Sequence, residues 1–119
     1  VVERVGRGFV ELVENGELEG PHAEKTVRES LQPILDAGAD RIALGCTHYP
    51  FVKRQIRTVL GDVPFFDGAE GTARQLHRKL EEHKLLAPAD KKGTIVFKSS
   101  IPGENELRLY KRFLQEPTD

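Results

Sequence analysis

Residues 41–50 read Arg-Ile-Ala-Leu-Gly-Cys-Thr-His-Tyr-Pro, and this stretch decides the fold of the chain. The apolar run from Ile42 to Leu44 predicts a short buried strand, and Pro50 predicts the first turn of a helix. The thiol, the hydroxyl and the imidazole between them fall on the loop after the strand. Parallel α/β sheets place their chemistry at that edge. The stretch therefore predicts an α/β fold together with its candidate site.

The chain before this strand is predicted to be helical. Apolar residues at helical spacing, with a stop at Gly38, predict a helix over residues 23–37. Pro33 removes one hydrogen bond from that helix, so we expect a kink or an early end there. A short helix is also predicted from Phe9 to Val13, ending at Asn15-Gly16.

The chain after Pro50 continues the alternation of helices and strands. We predict a helix from Pro50 to Leu60, a strand over 63–66, a helix from Ala69 to Leu80, a surface loop over 83–92, a strand over 94–98, and a helix carrying Leu107, Tyr110 and Leu114. This order predicts a parallel sheet flanked by helices, a partial doubly wound (flavodoxin-like) architecture. Three strands are few for a self-sufficient domain of that kind.

Composition excludes several classes of partner. The 119 residues carry 18 basic and 19 acidic side chains, without the basic excess of a nucleic-acid binder. No apolar run is long enough for a membrane span or a signal peptide, so we expect neither nucleic acid nor membrane as a partner. One cysteine allows no internal disulfide and suits the reducing cytoplasm. Because the chain begins with Val1 and contains no Met, we expect it to be a piece of a longer protein.

Cys46 is the strongest candidate for chemistry. A free cysteine is most often a small buried hydrophobe. Here, however, Gly45 allows a close approach, the following helix N-terminus favours a thiolate or a bound carboxylate, and His48 lies two residues away. Cys46 and His48 alone supply too few ligands for a metal site, so none is predicted.

The run Leu44-Gly45-Cys46-Thr47-His48-Tyr49-Pro50 resembles the second-cysteine motif of the cofactor-independent glutamate racemases. The segments 12–16, 38–40, 60–63 and 67–70 resemble family segments in the same order. The resemblance is good over residues 7–80 and loose over the tail. It implies interconversion of L- and D-glutamate by two thiols without pyridoxal phosphate or another cofactor, supplying D-glutamate for peptidoglycan.

The resemblance also implies a role for each matching residue. Cys46 is one of two thiols that flank the α-carbon of glutamate, His48 assists it, Glu14 is the carboxylate partner of His48, and Thr47 binds the substrate. Without the resemblance, Glu14 is one of several solvated carboxylates. His22, His77 and His83 are expected on the surface, and Asp67 is expected in a turn before Gly68.

Half of such an enzyme is missing from this sequence. The family's first cysteine and its Asp-Ser-Gly segment, which lie in an N-terminal half, have no counterpart here. We therefore expect residues 1–68 to be the back half of the second racemase domain and residues 69–119 to complete the first domain. The missing half is the expected partner, glutamate is the expected substrate, and the chain alone is expected to be inactive. A homodimer could in principle pair two Cys46 residues, although the scaffold for this is absent.

Three alternatives stay open. One is an aspartate racemase of the same superfamily, although His48 resembles the glutamate branch. Another is a non-catalytic module whose loop binds a carboxylate or phosphate at the helix N-terminus. A thiol hydrolase or redox protein lacks a second cysteine and a third triad member.

Overall fold

Five α-helices and one small parallel sheet form the part of the chain that the structure, a computed structural model, describes: residues 1–101 and 103–115. In chain order the elements are α1 (Phe9–Glu14), α2 (Pro21–Asp36), β1 (Ile42–Ala43), a 3-10 turn (Tyr49–Val52), α3 (Lys53–Leu60), β2 (Phe65–Phe66), α4 (Ala69–Glu82) and α5 (Glu104–Gln115).

The sheet joins the strand before the Cys46 loop to the strand after α3. Strand β1 pairs with β2 in parallel, with Ile42 opposite Phe65. The pairing extends past both ends, because Ile42 N–H donates to the Pro64 carbonyl (3.0 Å) and Leu44 N–H to the Phe66 carbonyl (2.8 Å). The predicted parallel α/β arrangement is therefore confirmed with shorter strands. Two strands do not define a doubly wound order, which stays a prediction.

Helix α2 begins two residues before its predicted start and ends one residue before its predicted end. Pro21 occupies the first turn, where its missing N–H removes no helical hydrogen bond. The helix passes through Pro33 and ends at Asp36. Because Pro33 lies in the last turn, few intrahelical bonds depend on it, and the Ala37 N–H still donates to the Pro33 carbonyl (3.3 Å).

The hydrophobic core lies entirely before residue 61. It joins one face each of α1, α2 and α3 to β1, and its most deeply buried large side chains are Phe9, Val13, Val27, Val52 and Ile56. Helices α4 and α5 contribute no buried side chain among the described residues. The sequence from α1 to α3 is therefore the part of this chain with a core of its own.

The predicted strand at Thr94–Lys98 is wrong. Residues 94–98 form no strand, and the side chains of Ile95 and Val96 are 65% and 74% exposed. A β-prone sequence becomes a strand only when a neighbouring strand accepts and donates its hydrogen bonds, and none of the described residues does so here. The predicted loop over 83–92 is confirmed.

The predicted last helix is confirmed as α5, which carries Leu107, Tyr110 and Leu114. Leu114 is exposed, whereas Phe113 packs against the core. The Phe113 ring contacts the Phe51 ring at a centroid distance of 4.4 Å. Helix α5 therefore lies against the turn that follows the Cys46 loop.

An ion pair ties α3 to the end of β2. The Lys53 ammonium lies 2.9 Å from an Asp67 carboxylate oxygen, and both side chains are largely covered, the Asp67 side chain being 20% exposed. Asp67 also accepts a hydrogen bond from the Ala69 N–H (3.0 Å), as expected for a residue in a turn. The hydrogen bond from Lys53, followed by that from Ala69, lowers the pKa of Asp67 below its ordinary value of 3.8.

We predict that Ile56→Ala destabilises the chain by about 2–5 kcal/mol, because it removes a buried side chain and leaves a cavity. Leu76→Ala on the exposed face of α4 is the matched control and should change the free energy of unfolding by less than about 0.5 kcal/mol. Urea denaturation measures both. Equal losses in the two variants would contradict the assignment of the core to residues before 61.

We also predict that the Lys53–Asp67 pair contributes stability above pH 3.8, the ordinary Asp pKa, and loses that contribution as the pH falls through the lowered pKa of the folded state. The folded state holds the charged carboxylate more tightly than the unfolded state does. Urea midpoints measured from pH 6 to pH 2 should fall less steeply for Asp67→Asn than for the unchanged chain. Asp62→Asn, in the turn after α3, serves as the control, and an identical slope in Asp67→Asn would refute the prediction.

Candidate active site

The Cys46 loop begins directly after β1 and ends in a 3-10 turn rather than in the predicted α-helix. Regular α-helix starts only at Lys53. The charge of the helix N-terminus is therefore farther from Cys46 than the sequence predicted. A side chain at Gly45 would meet no atom within 4 Å, so the loop is open on that side. Cys46 itself is partly buried.

Cys46, His48 and Glu14 lie together. The Cys46 sulfur is 3.8 Å from His48 Nδ1, and His48 Nε2 is 3.5 Å from a Glu14 carboxylate oxygen. One imidazole thus faces the thiol with one nitrogen and the carboxylate with the other. This arrangement suits proton transfer, because the carboxylate can hold the imidazole in the tautomer and orientation that the thiol requires.

Glu14 reaches the loop because α1 packs against the 3-10 turn. The Phe9 ring meets the Tyr49 ring edge to face at 5.2 Å, and the Gly6 N–H donates to the Tyr49 hydroxyl (3.1 Å). A Cβ at Gly6 would lie 2.6 Å from the Phe9 ring, so this approach requires glycine. Glu14 is the last residue of α1 and remains 66% exposed, while the His48 side chain is 34% exposed.

Thr47 and His48 line a cavity of about 590 Å³. Glu14 lines the same cavity from the end of α1, and α5 forms its opposite wall. The structure therefore brings the four residues predicted from the sequence into one neighbourhood. The α5 wall was missed, because its contact with the loop spans more than fifty residues of sequence and no local pattern encodes it.

The other titratable candidates lie elsewhere. His22, His77 and His83 are exposed, as predicted, and His22 contacts Glu17 (2.7 Å). Within residues 1–101 and 103–115, no three or more His, Cys, Asp or Glu side chains are arranged to hold a metal ion. None of the described helices is long and apolar enough to cross a membrane.

Comparison with known proteins identifies the relatives of this chain. It is 40% identical over 109 residues to a glutamate racemase of Clostridium perfringens and 38% identical over 107 residues to one of Clostridium acetobutylicum. The chain is homologous to glutamate racemases. These matches cover 91% and 90% of the chain but only 42% of each relative, so the chain spans about two fifths of their length. No family model matches.

A solved structure agrees with the homology. The crystal structure of a Francisella tularensis glutamate racemase in complex with D-glutamate matches 91% of this chain and 40% of its own, with a TM-score of 0.76 and 30% identity. The small parallel sheet with its helices is thus part of the glutamate racemase fold.

We predict that His48→Asn slows alkylation of Cys46 by iodoacetamide at pH 7 by about threefold or more, because the imidazole no longer stabilises the thiolate. Mass spectrometry of the modified chain over time gives the rate. His22→Asn removes a histidine that is paired elsewhere and should leave the rate unchanged. Equal rates in both variants would show that His48 does not act on the thiol.

Proposed function

We propose that this chain is the carboxyl-terminal part of a glutamate racemase and supplies one of the two acid–base sides of its active site. The observation that carries the proposal is the juxtaposition of the Cys46 thiol, the His48 imidazole and the Glu14 carboxylate within a glutamate racemase fold. As in the family it resembles, the enzyme would act without a cofactor and supply D-glutamate for peptidoglycan. The lone thiol is compatible with a cytoplasmic location.

In the proposed reaction, Cys46 serves one face of the substrate. As a thiolate it removes the α-proton of one glutamate enantiomer, while a thiol on the opposite face donates a proton to the same carbon. The charge that builds up on the α-carbon is thereby neutralised from the other side, and in the reverse direction the two sulfurs exchange roles.

His48 and Glu14 assist in this scheme without touching the α-carbon. His48 accepts the Cys46 proton through Nδ1 before the reaction. Once the α-proton has moved to the Cys46 sulfur, the imidazolium releases its proton to solvent, and the opposite thiolate takes one up from solvent. The Glu14 carboxylate, 3.5 Å from the opposite nitrogen, stabilises the imidazolium by its charge. Thr47, on the cavity wall, donates its hydroxyl to a substrate carboxylate.

The second thiol must come from the complementary half of the enzyme, since Cys46 is the only cysteine of this chain. We assign residues 1–68 to the second domain and residues 69–119 to a segment that completes the first. Two features support the division: the core lies before residue 61, and Ile95 and Val96 are exposed in a β-prone segment. In the complete enzyme the sheet would be doubly wound.

The test is a chimera in which this chain replaces the matching two fifths of the Clostridium perfringens relative. We predict that the chimera racemises L-glutamate and incorporates deuterium at the α-carbon in heavy water, measured by NMR. Cys46→Ala in the chimera should lower kcat by at least about 100-fold, because it removes one acid–base group. His48→Asn should lower kcat more than Glu14→Gln does.

The unaltered relative serves as the positive control, and His22→Asn in the chimera should retain full activity. This chain alone should not racemise glutamate. A chimera that unfolds cooperatively and binds D-glutamate but exchanges no α-proton would instead favour the non-catalytic carboxylate-binding alternative.

A further inference from the structure

The four residues before α1, Val5 to Gly8, are bound to helix α2. The Ser30 hydroxyl accepts a hydrogen bond from the Arg7 N–H (3.0 Å) and donates one to the Val5 carbonyl (3.3 Å). Gly8 approaches the helix so closely that a Cβ there would lie 2.5 Å from Thr26 Cγ2. We call these four residues the anchor segment, because they attach the start of α1 to a helix that carries no residue of the candidate site.

The anchor segment also contacts the turn that follows the Cys46 loop. The Tyr49 hydroxyl accepts a hydrogen bond from the Gly6 N–H (3.1 Å), and a Cβ at Gly6 would lie 2.9 Å from Tyr49 Cζ. Tyr49 directly follows His48 in the chain. The anchor segment therefore connects α2 to the residue beside the imidazole of the candidate site.

Helix α1 continues from the anchor segment and ends at Glu14. Its first residue, Phe9, donates its N–H to the Gly6 carbonyl (3.2 Å), so the hydrogen-bonded turn at the start of α1 includes the anchor segment. Glu14 lies only about 8 Å farther along the helix axis, since an α-helix rises about 1.5 Å per residue. Within the described part of the chain, His48 is the one ion-pair partner of Glu14. Because α1 is one short helix, a displacement at its start moves its last residue as well, and with it the distance from Glu14 to His48.

We propose that the anchor segment positions Glu14 against His48. The groups that fix the segment are the hydroxyls of Tyr49 and Ser30. Both residues act through Glu14, so they are positioning residues and not catalytic ones. Their effect reaches the thiol because the carboxylate lies 3.5 Å from one nitrogen of the imidazole and the Cys46 sulfur lies 3.8 Å from the other. The catalytic consequence rests on the proposed function, whereas the effect on the thiol is a property of the chain alone.

A double-mutant cycle on the rate of Cys46 alkylation by iodoacetamide at pH 7 tests this in the whole chain. Glu14→Gln removes the carboxylate and should slow alkylation. Tyr49→Phe and Ser30→Ala each remove one hydroxyl and should slow it about twofold or more, because residues in one network show coupling of this size. In the Glu14→Gln background neither variant should slow it further, because no carboxylate remains to be positioned. A merely structural effect of either hydroxyl would persist in that background.

Two further hydroxyl variants serve as controls. Ser30→Thr keeps a hydroxyl at this position and should retain the rate of the unchanged chain. Thr58→Val removes a hydroxyl that donates to the Arg54 carbonyl within α3, and its rate should not change. Urea denaturation of every variant establishes that it is folded at pH 7 before its rate is compared.

Another variant displaces the anchor segment without removing a hydroxyl. Gly6→Ala places a methyl group against the Phe9 and Tyr49 rings and should slow alkylation at least as much as Tyr49→Phe does. Gly71→Ala in α4 is its matched control, because a Cβ at Gly71 meets no atom within 4 Å. The rate of that variant should not change.

The proposal is overturned if Tyr49→Phe and Ser30→Ala slow alkylation equally with and without Glu14, or if both variants are folded and leave the rate unchanged. In the chimera, Tyr49→Phe should lower kcat and leave KM unchanged, because its hydroxyl holds the backbone of the anchor segment. The alkylation cycle requires no turnover. An inactive chimera would therefore count against the proposed function, while the cycle alone decides the positioning role.

Discussion

The contact between α1 and the turn after the Cys46 loop is the interaction on which the site depends. Phe9 packs edge to face on Tyr49, and the Tyr49 hydroxyl accepts the Gly6 N–H at the start of the same segment. The amino-terminal end of α1 is thereby attached to the turn after the Cys46 loop. Without that attachment, Glu14 would have no reason to lie 3.5 Å from His48, because the two residues are far apart in sequence. A six-residue helix is too short to hold its own shape in water, so its packing determines its position.

The residues from α1 to α3 form a buried core, whereas several large apolar side chains after β2 remain exposed. The buried core residues lie between α1 and α3, and the Lys53–Asp67 pair fastens α3 to the end of the sheet. Beyond Asp67 the chain contributes no buried side chain in α4 or α5, and Ile95 and Val96 face solvent. This asymmetry is what a portion of a larger α/β enzyme would show, in agreement with homology that spans about two fifths of the relatives.

Local patterns predicted the elements whose formation is local. The apolar spacing of α2, the stop at Gly38 and the loop after Leu44 are written in neighbouring residues, and they appear nearly as predicted. The strand at residues 94–98 failed for the opposite reason, because a strand requires a partner that its own sequence does not specify. The sequence did not specify which side of α5 packs. Leu107, Tyr110 and Leu114 have helical spacing, and so do Leu109, Tyr110 and Phe113; the contact of Phe113 with Phe51 distinguishes the two sets.

The sequence by itself determined the order of helices and parallel strands as far as α4, the position of the Cys46 loop and, through resemblance, the four residues of the candidate site. Short-range spacing and turn chemistry are sufficient for these features, since each depends on residues close together in the chain. Only the tertiary structure decided how the packing of α1 brings Glu14 to His48, that Lys53 pairs with Asp67, and that α5 lines the cavity beside His48. These are contacts between segments remote in sequence, and they exist because burying apolar faces brings those segments together.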